Sequence, residues 1–502
     1  MSLAHQAARG AAWTILTSLG ARAIGVVGTI IMTHLLAPSV IGEVSAATII
    51  AMTASWMTTW GFGSYAVVKG RGADAAEVTW HATVAYVSLG LVSLGAVALL
   101  AGHFAGFFDA PNAAKYIPGM AVAVFIRRLG AMPERVLIRS MRFRTIGMSV
   151  ALGEAAYTLV SVVLATRGWG GEAIIVGNIV QSLLMTGLVM RAAGREWRTP
   201  TPLRRARFRD MLRFGLPLGL QGLAHSGSRY WDNLAISHIF GAGPTGVYNL
   251  AYNLADIPAV QVGEQLAQVL LPSMAALPPE RRPRAFERSV ALLSLLIFPL
   301  AVGLGVVAPS LIRVALNDEW QGVAPLLTVL AALSVFRPIT WAIGPYLEAA
   351  DRTGQLMFLE VAKLVLLIVG IFVLAPYGLI YSAGAVGVAF GLSALGGVAM
   401  VAKAGPRASV ILISFMQPLL ACGVMVGAVL GVRHGLRVAG VTMPIVYLLV
   451  EMAVGAIAYV ASALVLCRAT ARDFISLAKS VVRRKRTRGA DAADDAADDA
   501  TP

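Results

Sequence analysis

The residues of this chain most able to do chemistry are charged groups inside otherwise apolar runs. Arg22 lies within the first run, and with Thr14 and Ser18 it forms an i, i+4, i+8 stripe on one helix face. His225, Arg229 and Asp232 or Asn233 recur three or four residues apart in "HSGSRYWDNL", again on one face, and Arg337 stands inside a later run just before Pro338. A guanidinium at that depth can hold a phosphate through two parallel hydrogen bonds. The competing use is structural pairing, for instance Arg229 with Asp232 or Lys363 with Glu360. Arg22, Arg229, Arg337, Asp232, Ser18 and His225 are therefore the candidate substrate-binding residues. Asp256, Glu264 and Glu154 are candidates for carrying a coupling proton or sodium ion, and Glu451 is a further buried acid; each can equally pair with an arginine. Arg127 and Arg128 sit near enough to the end of a run to snorkel out of it.

Other chemistries find no support. The seven histidines are scattered, and neither His-Glu-x-x-His nor a clustered Cys/His spacing occurs, so no metal site is expected. Cys422 and Cys467 both lie in apolar runs and read as packing residues. There is no Gly-x-x-x-x-Gly-Lys-Ser/Thr loop for a nucleotide and no Gly-x-Ser-x-Gly elbow for a nucleophile. Neither a cofactor nor an enzymatic activity is expected.

The elements that must position these residues are membrane helices. The 502 residues are 57% hydrophobic and 13% charged, where a soluble protein carries nearer a quarter charged. Apolar runs of about 20 residues match a roughly 30 Å hydrocarbon core, and their continuity excludes the alternation of a barrel. About fourteen spans fit, at approximately 11–36, 41–67, 79–102, 115–134, 146–166, 171–190, 214–240, 245–271, 288–308, 322–347, 355–375, 379–402, 409–431 and 441–467. The first is read as a span entered from the cytoplasm, not as a cleaved leader.

The net charge of +15 belongs to membrane orientation, not to nucleic acid. With the N-terminus inside, about 30 of the 41 Lys+Arg fall on the cytoplasmic side and about five outside. Both termini are then cytoplasmic. "SVVRRKRTRG" (480–489) suits anionic headgroups, and the acidic "ADAADDAADDATP" after it has nothing to build a core from.

A repeat is also visible. Span 1 ends "THLLAPSVIGEVSAATI" and span 7 ends "SHIFGAGPTGVYNLAYN"; Thr33-His34 matches Ser237-His238 and Gly42 matches Gly246, while Arg229 takes the place of Arg22. Six spans separate the copies, so the halves are parallel repeats that would meet at a central cleft. The expected organisation is a six-span bundle over 1–205, a second over 206–405, two further spans over 406–468, and a basic then acidic tail over 469–502.

These residues resemble the polysaccharide transporters, the O-antigen-unit and exopolysaccharide-unit flippases, of the multidrug/oligosaccharidyl-lipid/polysaccharide (MOP) flippase superfamily. The resemblance is carried by "GAAWTILTSLGARAIGVVGTIIMTHLLAPSVIG" (Gly10–Gly42), "WGFGSYAVVK" closing span 2, "LIRSMRFRTIG" (Leu137–Gly147) and "DNLAISHIFGAGPTGVYNLAYNLADIPAVQVGEQLAQVLLPSMAAL" (Asp232–Leu277). It covers most of residues 5–465. His34 departs from it, because relatives often carry arginine there. The resemblance implies two pseudo-symmetric six-helix bundles forming a V, with two extra C-terminal helices. It further implies alternating access that moves an undecaprenyl-diphosphate-linked oligosaccharide to the outer leaflet of the bacterial inner membrane. Central arginines such as Arg22 and Arg229 would hold the diphosphate, in contact with membrane lipids and working beside a polysaccharide polymerase and export machinery. The alternatives are a lipid II flippase or a drug or ion antiporter of the same superfamily, and, in a different class, a membrane polymerase or ligase.

Overall fold

The structure is a computed structural model that describes residues 20, 24–70, 74–108, 110–140, 142–275, 277–350, 352–403 and 405–475. Among them there is no strand. The chain runs through α1 (Ile24–Leu35), α2 (Pro38–Met57), α3 (Phe62–Lys69), α4 (Ala75–Leu99), α5 (Ala101–Phe107), α6 (Ile117–Leu129), α7 (Ala131–Arg139), α8 (Phe143–Thr166) and α9 (Glu172–Ala193). It continues through α10 (Arg205–Phe240), α11 (Ala242–Ala275), α12 (Arg282–Ala315), α13 (Val323–Leu333), α14 (Arg337–Ala349), α15 (Thr353–Leu374), α16 (Leu379–Ala402), α17 (Ala408–Val438) and α18 (Pro444–Leu466).

Thirteen of the fourteen expected spans coincide with a helix or a pair of helices, and much of the first lies outside the described residues. Ten stretches among the described residues are long and apolar enough to cross a membrane. The other four fall short for separate reasons. Span 1 is described only as the short α1. Span 4 is divided at Gly130 into α6 and α7. Spans 7 and 8 correspond to α10 and α11, which have 36 and 34 residues, ample length, but too many polar side chains. These two helices carry most of the candidate site. The chain is thus an all-α multi-pass membrane protein.

Two compact units emerge from the packing. The first draws on Met1–Leu254, Leu311–Leu333 and Met357–Ser393. Its core joins α2, α4, α6 and α9 through small and branched residues, among them Val44, Ala47, Ile50, Leu94, Met120 and Ile175. Span 2 is broken between α2 and α3, where Trp60 takes φ 41° and Gly61 φ 64°. Arg128, buried, holds the loose end: it donates to the carbonyls of Tyr86 (2.7 Å), Ser55 (2.8 Å) and Thr58 (2.8 Å). It also lies 3.9 Å from the centre of the Tyr86 ring. Ser55 and Thr58 lie at the C-terminal end of α2, where carbonyls run short of intrahelical partners, and Tyr86 lies within α4, so Arg128 points into the protein and does not snorkel.

α10 turns into α11 across Gly241, whose φ of 79° only glycine adopts freely. Here the two copies of the repeat meet. A side-chain carbon on Gly42 would collide with the Ala242 carbonyl, and one on Gly246 would collide with the Pro38 carbonyl. Residues 38 and 42 become 242 and 246 under one shift of 204 positions, so the contact is reciprocal.

The second unit draws on Ala255–Ser310, Ser334–Leu356 and Ala394–Pro502. Phe415 meets Phe298 edge to face (5.0 Å) and stacks with Phe336 (6.1 Å). The α17–α18 hairpin is tied together by Arg433 and fully buried Glu451, 2.6 Å apart, and Tyr459 donates to the Leu295 carbonyl of α12 at 2.7 Å.

Candidate functional site

In the first unit the candidates gather where α10 meets α11 and α15. Arg229 is half-buried on α10. Its guanidinium carbon lies 5.7 Å from the Tyr230 ring, which in turn stacks on Trp56 of α2 at 5.1 Å. Trp231 donates its indole N–H to Thr53 at 3.0 Å, pinning α10 to α2. By the 204-residue shift that relates Gly42 to Gly246, the counterpart of Arg22 is Ser226. Arg229 therefore sits three residues beyond strict equivalence, on the same helix face.

His225, one turn earlier, is half-exposed and places Nδ1 3.4 Å from Glu360 Oε2 of α15. The same oxygen takes the Lys363 ammonium at 2.7 Å, and that ammonium lies 5.0 Å from the Phe390 ring of α16. Lys363 is 4% exposed. A buried ammonium needs such a partner, because desolvating it alone costs several kcal/mol. The Glu360–Lys363 pairing expected from spacing is present, and His225 joins it.

Asp232 does not face open space. It is fully buried, and both carboxylate oxygens are occupied. Oδ2 accepts from the Tyr248 hydroxyl at 2.6 Å, and Oδ1 accepts from the Asn233 backbone N–H (2.8 Å) and side-chain amide (3.0 Å). From there a ladder crosses to α11 and surfaces. Asn249 donates to Asn233 Oδ1 at 2.9 Å, and exposed Asn253 donates to Asn249 Oδ1 at 3.0 Å.

The remaining candidates lie elsewhere. Glu154 of α8 accepts from Gln181 at 2.8 Å, and Gln181 accepts from Arg127 at 3.1 Å. In the second unit Arg337 and Asp256 form a buried salt bridge. A substrate-binding candidate and an ion-coupling candidate thus account for each other's charge. Glu451 is likewise taken up by Arg433. Arg22 and Ser18, with Thr14, lie outside the described residues, as does the side chain of Glu264.

Outside the spans, Arg207 at the start of α10 is held above the ordinary guanidinium range. A hydrogen bond with Tyr65 contributes most, followed by Glu77 (3.4 Å) and Asp74 (3.2 Å). Those contacts fasten the base of α10 to α3, through Tyr65, and to the start of α4, through Asp74 and Glu77.

Two features escaped the sequence reading. Arg128 was placed near a span end, whereas a break in the neighbouring helix gives it carbonyls to bind. The Asn233–Asn249–Asn253 ladder did have a signal, since Asn249 and Asn253 stand four apart in an apolar run and share a face.

Charged groups inside the spans of an all-helical membrane protein face its interior. Among solved structures the fold is similar to "Lipid II flippase MurJ, inward closed conformation", with a TM-score of 0.74, 14% identity, and coverage of 90% of this chain and 99% of that one. It is also similar to a structure described as the outward-facing conformation of a multidrug resistance MATE family transporter of the MOP superfamily. There the TM-score is 0.52, with 16% identity and coverage of 80% and 96%. Residues 31–325, more than half of the chain, match the family described as "Polysaccharide biosynthesis protein", and the chain belongs to that family. Relatives include "Lipopolysaccharide biosynthesis protein WzxC" of Escherichia coli (strain K12), 24% identical over 78% of each chain. Another is "Succinoglycan biosynthesis transport protein ExoT" of Rhizobium meliloti (strain 1021), 23% identical over 70% of each chain.

Proposed function

We propose that this protein is a flippase. It carries an undecaprenyl-diphosphate-linked oligosaccharide unit from the cytoplasmic to the periplasmic leaflet of the bacterial inner membrane, for exopolysaccharide, capsule or O-antigen synthesis. The observation that carries the reading is the polarity of α10 and α11. Two helices of spanning length place Arg229, Asp232, Asn233, Asn249 and Asn253 at depths where a lipid-facing helix has none. Such groups face protein or water. The names of the relatives, one a biosynthesis protein of lipopolysaccharide and one a transport protein of succinoglycan, support a glycan cargo.

Arg22 and Arg229 are assigned to the diphosphate and the 1–205 and 206–405 segments to two bundles of six spans. Mutual repulsion of the arginines favours the state in which they stand apart. A bound diphosphate offsets that repulsion, so it binds the closed state more tightly and draws the equilibrium toward it, which is the differential affinity any such shift requires. The Gly42–Gly246 contact is read as the closed outer end. The basic loops support a cytoplasmic position for both termini. Of the coupling candidates, Glu154 and Glu264 remain assigned, whereas Asp256 is given to Arg337. The protein supplies passage and no bond chemistry, and it hands its cargo to a polymerase and export machinery.

The test is where the cargo stops. Deleting the gene from its host should trap complete lipid-linked units on the cytoplasmic face, and re-expression should restore export. Single units reaching the periplasm in the deletion strain would instead indicate a polymerase.

A further inference from the structure

The amide ladder between α10 and α11 has a direction, and the direction fixes what it shows to a ligand. An ionised carboxylate only accepts hydrogen bonds. Asp232 therefore forces Asn233 to donate toward it, which turns the Asn233 oxygen outward as an acceptor for Asn249. Asn249 must then present its own oxygen to Asn253. Side-chain amides are ordinarily ambiguous by a flip, but here one buried charge orients all three. Asn253 ends the ladder with one N–H used inward. Its second N–H and its carbonyl oxygen have no partner among the described residues, and the residue is exposed.

Depth and level follow from the helices. Asn253 lies eight residues into the span that begins near 245, about 12 Å at 1.5 Å per residue. An amide there would be costly against hydrocarbon, so it meets water or a ligand. α10 and α11 are antiparallel, and Asn233 faces Asn249. One turn back along α10 from Asn233 is Arg229, and one turn on along α11 from Asn249 is Asn253. The two outermost groups are therefore level with each other.

We propose that Asn253, oriented by Asp232 through Asn233 and Asn249, is a sugar-recognition group that reads a pair of adjacent hydroxyls on the glycan next to the diphosphate. One hydroxyl donates to the amide oxygen while its neighbour accepts the free N–H. This rests on the flippase reading and adds to it a specificity-determining residue separate from the phosphate-binding arginines. Asp232 is then a positioning residue and touches no substrate.

The experiment measures binding to the purified full-length protein by intrinsic tryptophan fluorescence, with two probes. One is the lipid-linked oligosaccharide extracted from a deletion strain, and the other is undecaprenyl diphosphate without sugar. Wild-type protein is expected to bind the glycosylated lipid more tightly. Asn253→Ala removes two neutral hydrogen bonds at about fivefold each, so affinity for the glycosylated lipid should fall about tenfold or more. Affinity for the bare diphosphate should stay within about twofold. Asp232→Asn frees the ladder to flip and should show the same selective loss, smaller in size. Equal weakening of both probes by Asn253→Ala, or of neither, would overturn the proposal. Failure of wild-type protein to bind either lipid would instead overturn the flippase reading beneath it.

Discussion

Gly42 and Gly246 pack backbone to backbone, each against the turn that precedes the other. A side-chain carbon on Gly42 would lie 2.9 Å from the Gly246 nitrogen, and one on Gly246 would lie 3.1 Å from the Gly42 nitrogen. The two positions are also counterparts in the repeat. A two-fold relation between repeats brings matched residues together, and at the axis only glycine leaves room for two backbones.

Gly42→Val and Gly246→Val should each force this contact apart. Overpacking of this kind costs about 1–3 kcal/mol, visible as a lower melting temperature of the solubilised protein. The effects should be less than additive, because a seam opened by one side chain admits the second at smaller cost. Full additivity would show that the two glycines do not share one contact.

The buried Arg337–Asp256 pair makes a second prediction. Arg337→Met or Asp256→Leu alone leaves an uncompensated buried charge and should cost about 3–5 kcal/mol. The double variant Arg337→Met/Asp256→Leu removes both charges and should recover most of the loss in melting temperature and membrane yield. A double variant as unstable as the worse single one would show that the charges do not serve each other.

Arg128 should behave as a structural residue. Arg128→Met removes the charged donor shared by the carbonyls of Ser55, Thr58 and Tyr86 and should destabilise by on the order of 3 kcal/mol. Arg128→Lys keeps the charge but cannot reach them all, and should be intermediate. Normal melting with lost glycan export would instead place Arg128 among the substrate contacts.

Much of this was legible in advance. Spans 2 to 14 map onto helices because continuous apolar length is a strong signal, whereas the break at Trp60–Gly61 inside span 2 was not expected, because apolar length alone does not show where a helix is interrupted. The Glu360–Lys363 pair follows from spacing on one helix. What spacing along one helix cannot show is a partner on another. Asp232 looked like a cavity residue beside Arg229, yet Tyr248 and Asn233 claim both its oxygens. Asp256 and Arg337 looked like two separate functional groups, and their contact spans 81 positions of sequence. His225 could be placed on the face of Arg229, but not against Glu360, 135 positions away.

The account depends on arginines at depth holding a diphosphate, and charge reversal tests it most directly. Arg22→Glu and Arg229→Glu should each leave the protein in the membrane at normal abundance. Surface glycan should be abolished, with lipid-linked units accumulating on the cytoplasmic face, as measured by the accessibility of those units in oriented membrane vesicles. Normal export by either variant would remove that arginine from the mechanism, and normal export by both would contradict the account.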